Sequence, residues 1–328
     1  MRIPILSLAL VSLLAAFPAA AEVSCPSQSM IGKLKAADPQ AFRQLEQRSA
    51  EIKNNHGLLW KIEKEGLAPS WLLGTAHLRD PRVSKITPAV DEALTQVETL
   101  LVELEEIGTP QLIQQQLLMR PDLTMLATGT LDQVLPEARR PALQDALATR
   151  GLSVKMLARM RPWVIYFNLM SDRCETRLLN EGEIVLDHLL VNTAMQEGIF
   201  VAGLETPAEQ FASIASLPDG PMLESLIQQF SSPHSGEEQT GALIELYEAQ
   251  DTGMMIILNE IMGWDPVTAR AFADKMITAR NHRMAERAAG YLQEGGVMIA
   301  IGALHLPGDE GLIELIRKQG FVVTRVGS

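Results

Sequence analysis

The stretch "SWLLGTAHLRD", Ser70–Asp80, is an apolar run that stops at Gly74 and presents His77 three residues later. The same arrangement returns at "VMIAIGALHLPGD", Val297–Asp309, with Gly302 and His305, so that 228 positions separate the two histidines. Short apolar runs bounded by turn residues read as buried strands. A glycine at such a strand end permits positive φ or close backbone approach. Two further runs end in an acid: "TLLVELEE" in Glu103, with Glu105 and Glu106 behind it, and "IFVAGLE" in Glu205. Open α/β sheets gather ligands at the carboxyl ends of their strands. Two imidazoles and two carboxylates are therefore expected to line one crevice.

Working outward, "GLLWKIEKEG" and "SWLLGTAHL" predict a hairpin about Gly66-Leu67-Ala68-Pro69, and "FVVTRV" a final strand. Polar helix is predicted from Ser27 to Lys53. Further helices are predicted over Pro88–Glu98, Gly182–Gln196, Pro207–Asn259 and Gly308–Gly320, and the longest over Pro266–Leu292, stopped by Gly295-Gly296. Residues 110–168 are helical in pattern but broken at Pro121, Pro136, Pro141 and Pro162. The fold class is thus mixed α/β, a mixed sheet assembled from both ends of the chain. A helical insertion at about 110–180 lies between, and no linker divides residues 22–328 into domains.

The opening "MRIPILSLALVSLLAAFPAAAEVSC" has one basic residue, a short apolar stretch and an Ala-x-Ala site. It reads as an export signal over residues 1–21, with cleavage after Ala21 and a periplasmic destination. The apolar stretch is too short for a membrane span. An oxidising compartment favours a disulfide between the two cysteines, Cys25 and Cys174. A net charge of −12 argues against nucleic acid, whose phosphates attract a basic footprint. Homodimerisation is left open.

Two imidazoles plus a carboxylate from the four strand ends, His77, Glu103, Glu205 and His305, suit a divalent transition metal, Mn, Co or Zn. A metal with an open position polarises a carbonyl and acidifies water, the basis of hydrolysis. Glu205 is a candidate further ligand or general base, or alternatively a cap for the helix that follows. Arg280, Arg283 and Arg287 share a helix face. Arg280 is the candidate for stabilising an oxyanion, and the other two read as a solvated stripe. His56, His234 and His282 read as solvent-facing, His188 as structural, and Asp187 as a cap or an orienting group. Methionines are scattered and read as core filler.

The segments "LLWKIEKEGLAPSWLLGTAHLRDPRV", "LLVELE", "EIVLDHLL", "GIFVAGLET" and "ARNHRMAERAAGYLQEGGVMIAIGALHLPGDEGLIELIRKQGFVV" together resemble the TraB/PrgY/GumN family. That family is grouped with the TIKI proteases and, more distantly, with erythromycin-esterase-like and ChaN-like proteins. The resemblance runs from Leu58 to Val326 and implies a metal-dependent peptidase or amidase. His77, Glu103 and His305 would be its ligands or catalytic groups, with Glu205 and Arg280 at flanking motif positions. Arg79 and Asp80 depart from the apolar and small residues usual after the first histidine. The competing expectation is a non-catalytic protein that sequesters a peptide, a metal or haem in the same crevice.

Overall fold

The computed structural model describes residues 29–327 apart from 105–116, 118, 170–172, 233–235 and 263. The export signal, Cys25, Glu105, Glu106 and His234 lie outside the described residues.

Among the described residues six strands form one sheet: β1 (Leu59–Glu63), β2 (Ser70–Thr75), β3 (Thr99–Leu104), β4 (Phe200–Glu205), β5 (Val297–Gly302) and β6 (Val322–Arg325). Their order is β4-β3-β5-β2-β1-β6. The β1–β2 pair is the predicted antiparallel hairpin, and β6 joins β1 antiparallel. The other pairings, β2–β5, β3–β5 and β3–β4, are all parallel. The C-terminal strand β5 therefore slots between two N-terminal ones, the predicted assembly from both chain ends. A central strand must be apolar on both faces, and the residues of β5 are nearly all buried.

Each sheet face has its own core. Leu72, Leu101, Ile299 and Ile301 pack with Met284, Ala285 and Leu292 of the helix Ala279–Glu294 and with the helix Leu312–Lys318. Leu73, Leu100, Val102 and Ala300 pack on the other side with helices Pro88–Leu94 and Leu186–Glu197. A third cluster joins Met30, Phe42 and Leu258 to Ala303 just past β5, so the N-terminal helices cover ground beside the strand ends.

Three local expectations are corrected. The N-terminal helix is two, Met30–Ala37 and Pro39–Ala50, because Asp38 caps the second and Pro39 opens it. Pro141 starts rather than breaks the helix Arg140–Ala148. The long helix beginning at Pro266 carries a π-helical turn, Ala273–Thr278, in which the Ala279 N–H reaches back to Asp274. Such wide turns concentrate at functional sites.

Candidate functional site at the strand ends

Neither motif glycine adopts positive φ; both serve close approach. A Cβ on Gly74 would lie 2.6 Å from Leu306 Cδ1 and 3.1 Å from Ala303 Cα, so the two Gly-x-x-His segments pack directly on each other. A Cβ on Gly302 would lie 3.1 Å from Glu103 Oε1, 3.7 Å from the His305 ring and 3.9 Å from His77 Nε2. The Gly302 N–H donates to Glu103 Oε1 at 2.8 Å. Residue 302 is thus a floor on which the carboxylate and both imidazoles meet.

His77 Nε2 lies 3.9 Å and His305 Nε2 3.8 Å from Glu103 Oε1. The other nitrogen of each ring is held from behind. His77 Nδ1 faces Asp187 Oδ2 at 3.2 Å, while Asp187 Oδ1 accepts from Thr75 Oγ1 at 2.8 Å. His305 Nδ1 lies 2.6 Å from Asn281 Oδ1. The Asn281 amide nitrogen donates to the Glu310 carbonyl at 2.8 Å, which fixes the oxygen toward His305. His305 therefore carries its proton on Nδ1 and presents a bare Nε2 to the centre. His305 sits on a short 3₁₀ turn after β5 rather than on the strand itself.

Arg280 lies between the carboxylates. Its Nη2 donates to Glu103 Oε2 at 2.6 Å and its Nε to Glu205 Oε2 at 2.7 Å, while Nη1 reaches the Met276 carbonyl of the π-helical turn. Nη1 also stands 3.4 Å from His305 Nε2, consistent with an acceptor there. Gln210 donates to Glu103 Oε2 at 3.2 Å. Glu205 has both oxygens committed, the second to Arg283 at 2.9 Å. Arg283 is therefore part of the ladder and not the solvated residue expected, whereas Arg287 pairs with the half-exposed Glu209. The following helix is capped by Thr206, with Glu209 closing a capping box, which leaves Glu205 free of capping duty.

Glu103, Asp187, Glu205, Arg280, Asn281 and His305 are all buried, whereas His77 opens to solvent, its side chain 55% exposed. Burial pushes the His305 pKa down to about 4, with Arg280 and His77 adding to the effect against Glu103. Asp187 raises His77 to about 9, overcoming desolvation. Solvent at the exposed ring screens part of that pull, and the upward direction stands. Burial opposes the Glu103 charge, but His305, Arg280, His77 and the Gly302 N–H together hold the carboxyl well below the usual range.

The donor types fit a borderline-soft divalent metal: two Nε2 atoms, each backed through Nδ1 by a hydrogen-bonding partner, facing one carboxylate oxygen. Among the described residues no three His, Cys, Asp or Glu side chains are drawn together tightly enough to close such a cluster. The Arg280 guanidinium occupies the other side of Glu103.

Of the predicted residues, His77, Glu103, His305 and Arg280 meet, and Glu205 joins through Arg280. Asn281 escaped sequence reading altogether, because nothing in "TARNHR" distinguishes a residue that reaches a loop 24 positions away. Asp187 had a weak signal, an acid in the first turn of its helix. His56 pairs with Asp251 and His282 with Glu310, both rings half-exposed.

The family model described as TraB/PrgY/gumN matches residues 58–325. The chain is 26% identical over 318 residues to a protein of Danio rerio described as metalloprotease TIKI1, covering 82% of this chain and 63% of that protein. The chain thus spans somewhat less than two thirds of that relative's length. No solved structure matches it. Both Gly-x-x-His segments and every residue of the charged cluster lie within the matched span, and the chain belongs to the TraB/PrgY/gumN family.

Proposed function

We propose that this protein is an exported metal-dependent hydrolase that cleaves an amide bond in a peptide or small amide. The observation that carries the reading is the approach of two Nε2 atoms, each with its Nδ1 partnered, to one oxygen of Glu103. The relative described as a metalloprotease supports the same class.

His77 and His305 with Glu103 would hold the cation, Mn, Co or Zn. When bound it would supply Lewis-acid polarisation of the scissile carbonyl and acidify a water. Asp187 and Asn281 aim the two rings. Arg280 is fixed by Glu205, Glu103 and the Met276 carbonyl, so its charge is in place before reaction and can stabilise a developing oxyanion. Glu205 serves in this reading as the anchor of Arg280 and Arg283. Glu103 Oε1, which faces both rings and accepts the Gly302 N–H, serves in this reading to hold the cation.

Among the described residues no helix is long and apolar enough to cross a membrane. The export signal and a periplasmic location belong to this proposal, and a mature N-terminus at Glu22 is the expected result of N-terminal sequencing.

The test is metal content of purified wild type, His77→Ala and His305→Ala, followed by divalent-stimulated cleavage of a peptide library by wild type and Glu103→Gln. Loss of metal in both histidine variants and loss of cleavage in Glu103→Gln is expected. Unchanged metal content in both variants would overturn the site. Tight stoichiometric peptide binding without turnover would replace the enzyme with a sequestering protein built on the same crevice.

A further inference from the structure

A cleft of about 740 Å³ lies behind the site, within the range of small-molecule pockets. One wall is the helix that carries Arg280. Arg270, Ala273, Ile277 and Asn281 line it at spacings of three and four residues, and so form one face roughly 15 Å long. The opposite wall is the segment after β5, including Leu304 and Pro307. Ile256, Trp264 and Phe272 make the interior mostly apolar, with the Trp264 and Phe272 rings edge to face at 4.9 Å.

The charges along this cleft are unequal. Asp309 pairs with Lys53, and Glu310 with His282 and Lys318, so the acids are neutralised. Arg270 at the far end is exposed, and among the described residues it has no carboxylate partner. The other end is Asn281, which both lines the cleft and holds His305 Nδ1.

We propose that this cleft is a second binding site, for a small amphipathic monocarboxylate: a hydrocarbon body along the apolar walls and a carboxylate on Arg270. An alkyl body needs no hydrogen bonds from walls that offer few, whereas a peptide would bury backbone N–H and C=O groups without partners. A guanidinium gives a carboxylate two parallel hydrogen bonds. An occupant reaching Asn281 presses on the residue that sets the His305 tautomer, so the site is coupled to the strand-end centre through Asn281.

The experiment is calorimetric titration of the metal-free full chain with decanoate below its micelle-forming concentration, alongside decanol and an apolar tripeptide acid. The His305 ring is followed by NMR in parallel. One saturable decanoate site is expected, weakened at least about tenfold in Arg270→Met and for decanol, with a shift of the His305 resonances on binding. Ala273→Trp, which fills the cleft from an exposed helix position, is expected to abolish binding while circular dichroism is unchanged. Equal decanoate affinity in Arg270→Met, no saturable binding to wild type, or binding of the tripeptide acid in preference would each overturn the proposal. None of these outcomes depends on hydrolysis, so failure here leaves the proposed activity standing, and the reverse also holds.

Discussion

His77 and His305 are chemically the same residue, yet their surroundings drive them in opposite directions. The buried His305 is neutral well below pH 7, and the open His77 beside Asp187 keeps its proton above it. Asp187→Asn keeps the shape and the Thr75 contact but removes the charge. The His77 pKa should then fall from about 9 by a unit or more, read by NMR titration, and metal affinity should drop about 10–100-fold. An unchanged His77 titration would remove Asp187 as its partner. Stability of the metal-free protein should follow both rings. The unfolded chain binds more protons at His305 between pH 4 and 6.5, so stability falls as pH drops through that window, by up to about 3 kcal/mol. The folded chain binds more at His77 between 6.5 and 9, so that contribution is full below 6.5 and lost as pH rises toward 9, and it is smaller because the ring is exposed. Urea midpoints against pH should peak near neutrality. In His305→Gln the acid limb should flatten; an identical limb in the variant would refute the assignment.

Two elements carry the site's precision: the pair of glycine-ended strands and the helix with the π turn. Gly74→Ala drives a methyl group against the Ala303 backbone and Leu306, and is expected to cost about 1–3 kcal/mol in a denaturant melt. Gly302→Ala meets only side chains, chiefly Glu103 Oε1. It should cost less stability than Gly74→Ala but weaken metal binding, because the carboxylate must shift. Equal tolerance of alanine at both positions would contradict the close packing of the two motifs. Arg280→Met takes the guanidinium from two buried carboxylates, leaving Glu205 to Arg283 and Glu103 without a cationic side chain on Oε2, and a destabilisation of about 3–5 kcal/mol is expected. Adding Glu103→Gln to Arg280→Met should recover part of that loss, since one unpaired charge is removed with it. A double variant less stable than Arg280→Met alone would count against charge burial as the cause.

For the molecule as a whole, the insertion of β5 between β2 and β3 brings residues from both chain ends to the carboxyl ends of adjacent strands. A bridge from Cys25 to Cys174 would further tie the N-terminus to the middle of the chain. Alkylation should modify both cysteines only after reduction, and reduction should lower the thermal midpoint; full alkylation without reductant would exclude the bridge. Much of this architecture was legible locally. All six strands are short apolar runs punctuated by Gly, Pro or charge, and the strand-end residues His77, Glu103, Glu205 and His305 stand out because each follows such a run. Helix boundaries were less legible, since proline opens a helix as readily as it ends one, as Pro39 and Pro141 do. The π turn, whose Met276 carbonyl accepts from Arg280, was not legible in the helical pattern.

By itself, then, the sequence determined the strands, the sheet's assembly from two chain ends and the residue types at the strand ends, because hydrophobic periodicity and glycine placement are local properties. Only the tertiary structure decided that Asn281 and Asp187 hold the outer nitrogens of the two rings, that Arg283 joins the ladder and that the glycines serve close approach. Those facts are distances between residues remote in sequence, set by how strands and helices stack around a shared core.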